Sequence, residues 1–373
     1  MIPFNRPAIV GDEFAYVEEA LRSRALAGDG TFGRRSEALL ERTLGVQRAL
    51  LTTSCTHALE MCALLLDVGP GDEVIVPSFT FVSTINAFAL RGARPVFLDI
   101  RPDTLNLDER ALEERISPRT RAIVVVHYAG VGCEMGVISE VSNRRGVPVV
   151  EDNAHGLFGA YRGKPLGTFG ALAAQSFHET KNFSCGEGGA VLVNDARFVD
   201  RAEILREKGT DRSRFFRGQV DKYTWVDLGS SWVLSDVLAA LLLAQLEARE
   251  RIQAGRRAVW ERYQAELADW ALANGVLLPT VPPDRQQAFH MFQLRFPDLA
   301  RRSAFIDHML ARGVKAVFHY QPLHLSPMGR RSGARPGDCP VTERVSDQLV
   351  RLPFYTELGG DEQGRVIDAV RAF

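Results

Sequence analysis

The chain is poor in cysteine and has no long apolar run. It contains five scattered cysteines, and no two of them form a C-x-x-C pair. The odd number argues against a disulfide framework, and the lack of a C-x-x-C pair argues against a zinc or redox site. We therefore expect a reducing compartment. No uninterrupted stretch of about eighteen apolar residues occurs, and the opening MIPFNRPAIV lacks a charged leader followed by an apolar segment. These absences predict a cytoplasmic protein that does not span a membrane.

An excess of charge of one sign is also missing. The 45 basic and 46 acidic residues are intermixed and leave a net charge of −1. This balance argues against a nucleic-acid or membrane-surface protein, so we expect small-molecule or protein partners. At 373 residues and 46% hydrophobic, the chain is long enough for a large core and for two domains.

Between positions 46 and 200, short β-branched runs alternate with segments of helical periodicity. In chain order they read GDEVIVP, VSTINAFALRG, ARPVFLDI, RAIVVVHYAG and VPVVEDNA. Strand-like runs bounded by Gly and Pro and separated by helices predict βαβ units around a buried, largely parallel sheet. The fold class is therefore expected to be α/β.

The second half begins with one long helical stretch, 235–267, which we interpret as a connection between domains. We place a large domain at 1–250 and a smaller C-terminal α/β domain at 251–373. The segments HMFQLRF and KAVFHY are predicted strands of the smaller domain, with helices near 303–312 and 361–373.

Two charged residues follow predicted strands. Asp152 ends the run VPVVED, at the sheet edge where ligands of open α/β folds bind, and could hold a protonated ring nitrogen. The alternative is a carboxylate that caps the next helix. Lys181 lies in a glycine-rich loop between two predicted strands, where its amine could bond covalently to a cofactor aldehyde; a solvated surface lysine is the alternative.

Three further segments could bind ligands. In TTSCTHALE, the backbone at Ser54, Cys55 and Thr56 precedes an apolar helix and could bind phosphate, or serve only as a helix cap. Ser176 offers a hydroxyl five residues before Lys181. Phe81 could stack on an aromatic ring or lie in the core.

HYQPLH at 319–324 brings His319, Tyr320 and His324 close together, and these side chains could bind a phosphate or a sugar hydroxyl. A strand-end turn is the alternative. No metal site is predicted.

TTSCTHALE, GDEVIVPSFTFVSTINA, EDNAHG, SFHETKN and GEGGAVL occur in this order, and together they resemble the DegT/DnrJ/EryC1/StrS nucleotide-sugar aminotransferases. The resemblance implies the fold-type-I, aspartate aminotransferase-like architecture, pyridoxal 5'-phosphate as cofactor, and a homodimer with shared active sites. It implies Lys181 as the lysine bound to the cofactor, Asp152 as the partner of its ring nitrogen, and Phe81 stacked on its ring. Phosphate contacts fall on Cys55, Thr56 and Ser176.

Two positions differ from many family members. His155 stands where glutamine is common, beside the cofactor's ring oxygen. Ser231 stands where many members carry an asparagine that reaches the phosphate from the partner subunit, and its role is left open.

One subgroup, the dTDP-4-amino-4,6-dideoxygalactose transaminases, is resembled by the opening MIPFNRPAIVGDEF and by the segments REKGTDRSRFFRGQVDKYTWVDLGSS and FHYQPLH. Those enzymes move an amino group from L-glutamate to C4 of dTDP-4-keto-6-deoxyglucose. Three alternatives stay open at this point: amination of another position or sugar, a pyridoxal phosphate-dependent sugar dehydratase, and a non-catalytic regulator. Lys181 argues against the dehydratase, whose relatives carry histidine there, and the lack of a basic helix-turn-helix argues against the regulator.

Overall fold

The computed structural model describes residues 1–373. Its strands are β1 (Arg48–Thr52), β2 (Glu73–Pro77), β3 (Arg94–Leu98), β4 (Thr120–Val126), β5 (Val149–Asp152), β6 (Ala160–Tyr161), β7 (Lys164–Pro165), β8 (Leu172–Ser176), β9 (Gly189–Val193), β10 (Arg285–Gln286), β11 (Gln293–Arg295), β12 (Val317–Phe318) and β13 (Leu349–Arg351). Its α-helices are α1 (Glu13–Ser23), α2 (Thr31–Leu44), α3 (Cys55–Leu65), α4 (Ser83–Ala89), α5 (Met135–Arg145), α6 (Val199–Arg206), α7 (Arg212–Phe216), α8 (Asp236–Glu247), α9 (Arg249–Ala273), α10 (Leu299–Ala311), α11 (Pro327–Arg331), α12 (Pro340–Gln348) and α13 (Gly360–Arg371).

A seven-stranded mixed sheet organises the first half of the chain, in the order β1-β9-β8-β5-β4-β2-β3. All neighbouring strands are parallel except β9, which is antiparallel to both β1 and β8. The runs GDEVIVP, ARPVFLDI, RAIVVVHYAG and VPVVEDNA form β2, β3, β4 and β5, and VSTINAFALRG forms α4, so the α/β prediction is confirmed. Because the parallel strands all end at one edge, the residues that follow β5 and β8 lie close together.

Helices cover both faces of this sheet. Strand β1 shows the alternation this requires, because Leu50 packs into the core beneath α3 while Ala49 and Leu51 pack into the core beneath α2 and α8. Within the layer formed by α2 and α8, the buried Asp236 carboxylate at the start of α8 accepts a hydrogen bond from the Gly33 nitrogen of α2 at 2.7 Å. The apolar residues of the sheet are thus buried on both sides.

The C-terminal part has its own sheet, in the order β11-β13-β12, and its own apolar core, which α9, α10 and α13 complete. Both predicted strands and both predicted helices of this region are present, with shorter strands than expected. The predicted single helix at 235–267 is wrong, since the chain leaves helical geometry at Ala248. This break lets α8 stay packed on α1 and α2 while α9 enters the second core through Tyr263. The domain boundary at 250 stays a prediction.

None of the helices is both long and apolar enough to cross a lipid bilayer.

Candidate active site

A cavity of about 640 Å³ opens at the carboxyl edge of the large sheet. The last residues of three strands line it: Val126 of β4, Asp152 of β5 and Ser176 of β8. The opposite wall comes from the C-terminal part, through residues 290–291, 315–321 and 351. Ten of the twelve residues predicted from the sequence line this cavity: Ser54, Cys55, Thr56, Phe81, Asp152, His155, Ser176, Lys181, His319 and Tyr320.

Lys181 lies in the loop between β8 and β9, with its side chain at the cavity wall. Its backbone nitrogen donates to the His178 carbonyl at 2.9 Å, which closes a tight turn and aims the residue inward. Burial lowers the pKa of the Lys181 amine, although the nearby Asp152 carboxylate raises it. A larger share of the amine is therefore unprotonated near neutral pH, as a nucleophile or a base requires.

Asp152 ends β5 with its carboxylate held on two sides. Oδ2 accepts a hydrogen bond from Thr84 Oγ1 at 2.7 Å, and Oδ1 accepts one from the Ala154 nitrogen at 3.2 Å. Burial raises the pKa of Asp152, while these hydrogen bonds and Lys181 lower it. A turn, not a helix, follows β5, so the helix-cap alternative is wrong. The carboxylate is positioned to meet a cationic group in the cavity.

The start of α3 forms the cavity floor. Ser54 Oγ accepts a hydrogen bond from the His57 nitrogen at 3.1 Å, so Ser54 is an N-cap. The amides of Cys55 and Thr56 belong to the first turn and have no partner within the helix. A Cβ atom at Gly189 would lie 2.4 Å from the Cys55 nitrogen, so only glycine lets β9 approach this turn. Free amides at a helix start are suited to phosphate.

Aromatic rings line the cavity above this floor. Phe81 is 57% exposed and borders the opening, so it is not a core residue. The ring of His155 stacks on that of His290, with centroids 4.1 Å apart and planes 16° apart. Burial holds the pKa of His155 well below its ordinary value, so the ring is neutral. Its Nδ1 atom is buried without a hydrogen-bond partner, which signals a group that this site is built to receive.

The HYQPLH segment divides between two places. His319 and Tyr320 line the cavity, and His319 Nδ1 lies 3.0 Å from the Tyr128 hydroxyl. His324 does not line it: its ring nitrogens lie 2.6 Å from Ser78 Oγ and 2.9 Å from Glu343 Oε1. Since both nitrogens already have partners inside the protein, its position gives no support to a role in substrate binding.

Ser231 is the other predicted residue outside the cavity. It is exposed and forms an isolated antiparallel bridge with Glu207. Within one subunit it cannot contact a ligand in this cavity. A contact with the cavity of a second subunit stays a prediction.

Among the lining and supporting residues that were not predicted from the sequence, three are notable. Thr84 and His290 act through Asp152 and His155, and Arg351 enters the cavity from the end of β13. Thr84 occurs in a segment already noted for Phe81, but nothing in the sequence indicated that its hydroxyl would reach Asp152. No local pattern distinguishes Arg351 from the many surface arginines.

Comparison with known proteins agrees with this arrangement. The sequence model of the DegT/DnrJ/EryC1/StrS aminotransferase family matches residues 7–371. The chain belongs to this family. It is thus a pyridoxal phosphate-dependent aminotransferase of fold type I, as the sequence resemblance implied.

Solved structures of the DegT/DnrJ/EryC1/StrS fold match the whole chain. The aminotransferase TlmJ from Streptoalloteichus hindustanus is 33% identical, with a TM-score of 0.91 over 100% of this chain and 98% of that one. The sugar aminotransferase CalS13 from Micromonospora echinospora is 29% identical, with a TM-score of 0.89 over 100% of both chains. Spr1654 from Streptococcus pneumoniae, solved in a pyridoxamine phosphate form, is 26% identical, with a TM-score of 0.92 over 100% and 98%.

The residues of this family member fit the cofactor. The free amides of the α3 start suit its phosphate, the buried Asp152 carboxylate suits its ring nitrogen, and the buried amine of Lys181 suits its aldehyde. The unpartnered Nδ1 of His155 supplies a hydrogen-bonding atom on the same wall.

Proposed function

We propose that this enzyme transfers the amino group of L-glutamate to C4 of dTDP-4-keto-6-deoxy-D-glucose. The products are dTDP-4-amino-4,6-dideoxy-D-galactose and 2-oxoglutarate. The aminotransferase class follows from the family, and a sugar substrate is supported by the sugar aminotransferase CalS13 among the similar structures. The choice of sugar and position rests on the resemblance of residues 206–231 and 318–324 to one subgroup.

The observation that carries the proposal is the convergence of three chemical groups in one cavity. The amine of Lys181, the carboxylate of Asp152 and the first amides of α3 come from a loop, a strand end and a helix start, and they line the same space. Each group matches a different part of pyridoxal phosphate. A lysine and an aspartate placed separately on the surface would not support this chemistry.

Bound pyridoxal phosphate supplies an electron sink for the carbon that carries the amino group. Lys181 would hold the aldehyde covalently and, once released by the substrate amine, would move a proton to and from that carbon. Asp152 would keep the ring nitrogen protonated, because a buried carboxylate stabilises a neighbouring cation. Phe81 and His155 would orient the ring, while the neutral His155 adds no charge beside it.

We also propose that two subunits assemble and complete each other's sites. The segment before Ser231 exposes large apolar side chains, with Phe216 70% and Trp225 74% exposed, and Phe14 on α1 is 82% exposed. Large exposed apolar side chains are typical of protein interfaces. The cytoplasmic location expected from the composition stays a prediction.

The cofactor link can be tested by reducing the enzyme with borohydride and mapping the modified peptide by mass spectrometry. We expect the phosphopyridoxyl group on Lys181. Lys181→Ala should lose the group and all turnover, whereas Lys164→Ala, which alters an exposed lysine outside the cavity, should keep both. Normal turnover by Lys181→Ala would refute the proposed mechanism.

Substrate and position need a separate experiment. The enzyme is incubated with dTDP-4-keto-6-deoxyglucose and L-glutamate, and the product is analysed by NMR. We expect an axial amino group at C4, which places H4 in the equatorial position of the galacto configuration. A C3-amino or gluco-configured product would show that the aminotransferase acts on another sugar or another face.

A further inference from the structure

Arg351 stands out among the residues of the cavity wall. It is the last residue of β13, where its backbone is paired in register with Val317 of β12 and Gln293 of β11. This pairing holds the side chain in the C-terminal wall, opposite the loop that carries Lys181. Arg351 therefore borders the cavity from the C-terminal wall, whereas the amides that suit the cofactor's phosphate belong to α3 of the large sheet.

The guanidinium has no anionic partner. The Nη2 atom of Arg351 donates to the Phe318 carbonyl at 3.3 Å, and the Cζ atom lies 4.6 Å from the centre of the Phe4 ring. The Nε atom is buried without any hydrogen-bond partner. Arg351 is half-buried, and this burial lowers the pKa of its guanidinium. With its Nε buried and no carboxylate beside it, the guanidinium is available to an anionic ligand in the cavity.

The three buried arginines of the chain, Arg206, Arg256 and Arg295, all lie outside the cavity. Arg206 contacts Glu37 at 2.7 Å and Asp29 at 2.6 Å, although its Nε has no hydrogen-bond partner. Arg256 donates to two backbone carbonyls at 2.8 and 2.6 Å, and Arg295 donates to the Pro102 carbonyl at 2.6 Å. Arg351 differs from them because it borders the cavity, has no carboxylate partner and keeps a buried Nε without an acceptor.

The surroundings reinforce an anion site. Lys315, an exposed lysine, lines the same wall. Arg351 lines the same cavity as Lys181 and His319, and its positive charge contributes to lowering the pKa of both. The rigid fork of a guanidinium matches the two oxygens of a carboxylate or a phosphate.

We propose that Arg351 is the oxyanion-binding residue of the substrate side of the cavity. This inference rests on the proposed function, in which both substrates are anionic. Its ligand is either a carboxylate of the amino donor or the diphosphate of the nucleotide sugar. The two sources share the same chemistry and differ in which substrate loses affinity when the guanidinium is removed.

The test uses holoenzyme carrying Arg351→Gln or Arg351→Lys, with Arg91→Gln as an exposed control outside the cavity. Binding of dTDP alone is measured by calorimetry. Binding of L-glutamate alone is measured from the concentration dependence of the cofactor's absorbance change without sugar. We expect Arg351→Gln to weaken at least one probe by about 10- to 100-fold, as loss of a charge-assisted bidentate contact predicts.

Arg351→Lys keeps the charge and the stem, so it should fold and show a smaller loss for the same probe. A loss for dTDP only identifies the diphosphate, a loss for glutamate only identifies the donor carboxylate, and a loss for both identifies a shared site. Unchanged affinity of both probes in both variants would overturn the inference. Wild-type holoenzyme that binds neither probe would instead refute the proposed function, and the inference with it.

Discussion

Removing the hydroxyl that supports Asp152 should shift the pH range of the enzyme. Thr84 Oγ1 donates to Asp152 Oδ2 at 2.7 Å, and both residues are buried. Thr84→Val removes this donor with little change in shape. A hydrogen bond to a charged buried group contributes roughly 1.5–3 kcal/mol, which corresponds to about 1–2 units in the pKa of Asp152.

The direction of the shift in pH range depends on which protonation state of Asp152 the Thr84 hydroxyl stabilises. Thr84 lowers the pKa of Asp152 by donating to the ionised carboxylate, against the burial that raises it. In Thr84→Val the carboxyl group therefore stays protonated to a higher pH. Because we propose that the ionised form keeps the cofactor's ring nitrogen cationic, the acidic limb of activity should move to higher pH by about 1–2 units.

The assay is kcat/KM for the keto sugar, with glutamate as donor, measured across pH. Thr84→Ser retains the hydroxyl and should follow the wild type, which separates the hydrogen bond from the loss of a methyl group. Thermal unfolding checks that both variants are folded. A folded Thr84→Val enzyme whose pH profile superimposes on the wild type would refute the reasoning.

Two further predictions concern packing and acid stability. In Gly189→Ala the new Cβ would lie 2.4 Å from the Cys55 nitrogen, so the start of α3 must move, and the cofactor affinity measured by titration should fall by about tenfold or more. The control Gly186→Ala has no atom within 4 Å of its new Cβ and should bind the cofactor normally. Its positive φ should lower the free energy of unfolding by about 1 kcal/mol. Burial raises the pKa of Glu73, but hydrogen bonds from Ser117, Arg94 and Arg119 outweigh it and lower that pKa to about 2. The stabilisation by the ionised Glu73 is complete above about pH 4.5 and is lost as the pH falls toward 2. Between pH 6 and pH 3.5, denaturant unfolding should therefore show the wild type losing on the order of 1–3 kcal/mol more of its free energy of unfolding than Glu73→Gln. Equal losses in the two proteins would contradict this account.

Part of the candidate site could be predicted from the sequence, because the residue patterns that indicate it are local. Asp152 follows directly on a buried strand, and the glycines around Lys181 stand within a few positions of it. The polar start of α3 adjoins its apolar run in the same way. Since strand ends of a parallel sheet meet at one edge, these separate signals indicated a shared location without any long-range information. Asp152, Lys181 and the start of α3 line the same cavity for this reason.

The predictions that were wrong or unsupported concern features that local sequence patterns do not determine. His324 belongs to the same six-residue segment as His319, yet the chain turns between them and carries His324 to Ser78 and Glu343. The helical periodicity of 235–267 continued without a break, but the separate packing demands of α8 and α9 end one helix at Glu247. In each case contacts with distant residues decided the outcome.

By itself, then, the sequence determined the α/β alternation, the strand-end positions of Asp152 and Ser176, and the helix start at Ser54, because each depends on neighbouring residues. Only the tertiary structure decided that Thr84 supports Asp152, that His290 stacks on His155, and that Arg351 enters the cavity. Those contacts join residues far apart in the chain, and the burial that alters their chemistry exists only once the sheet and the C-terminal part have packed together.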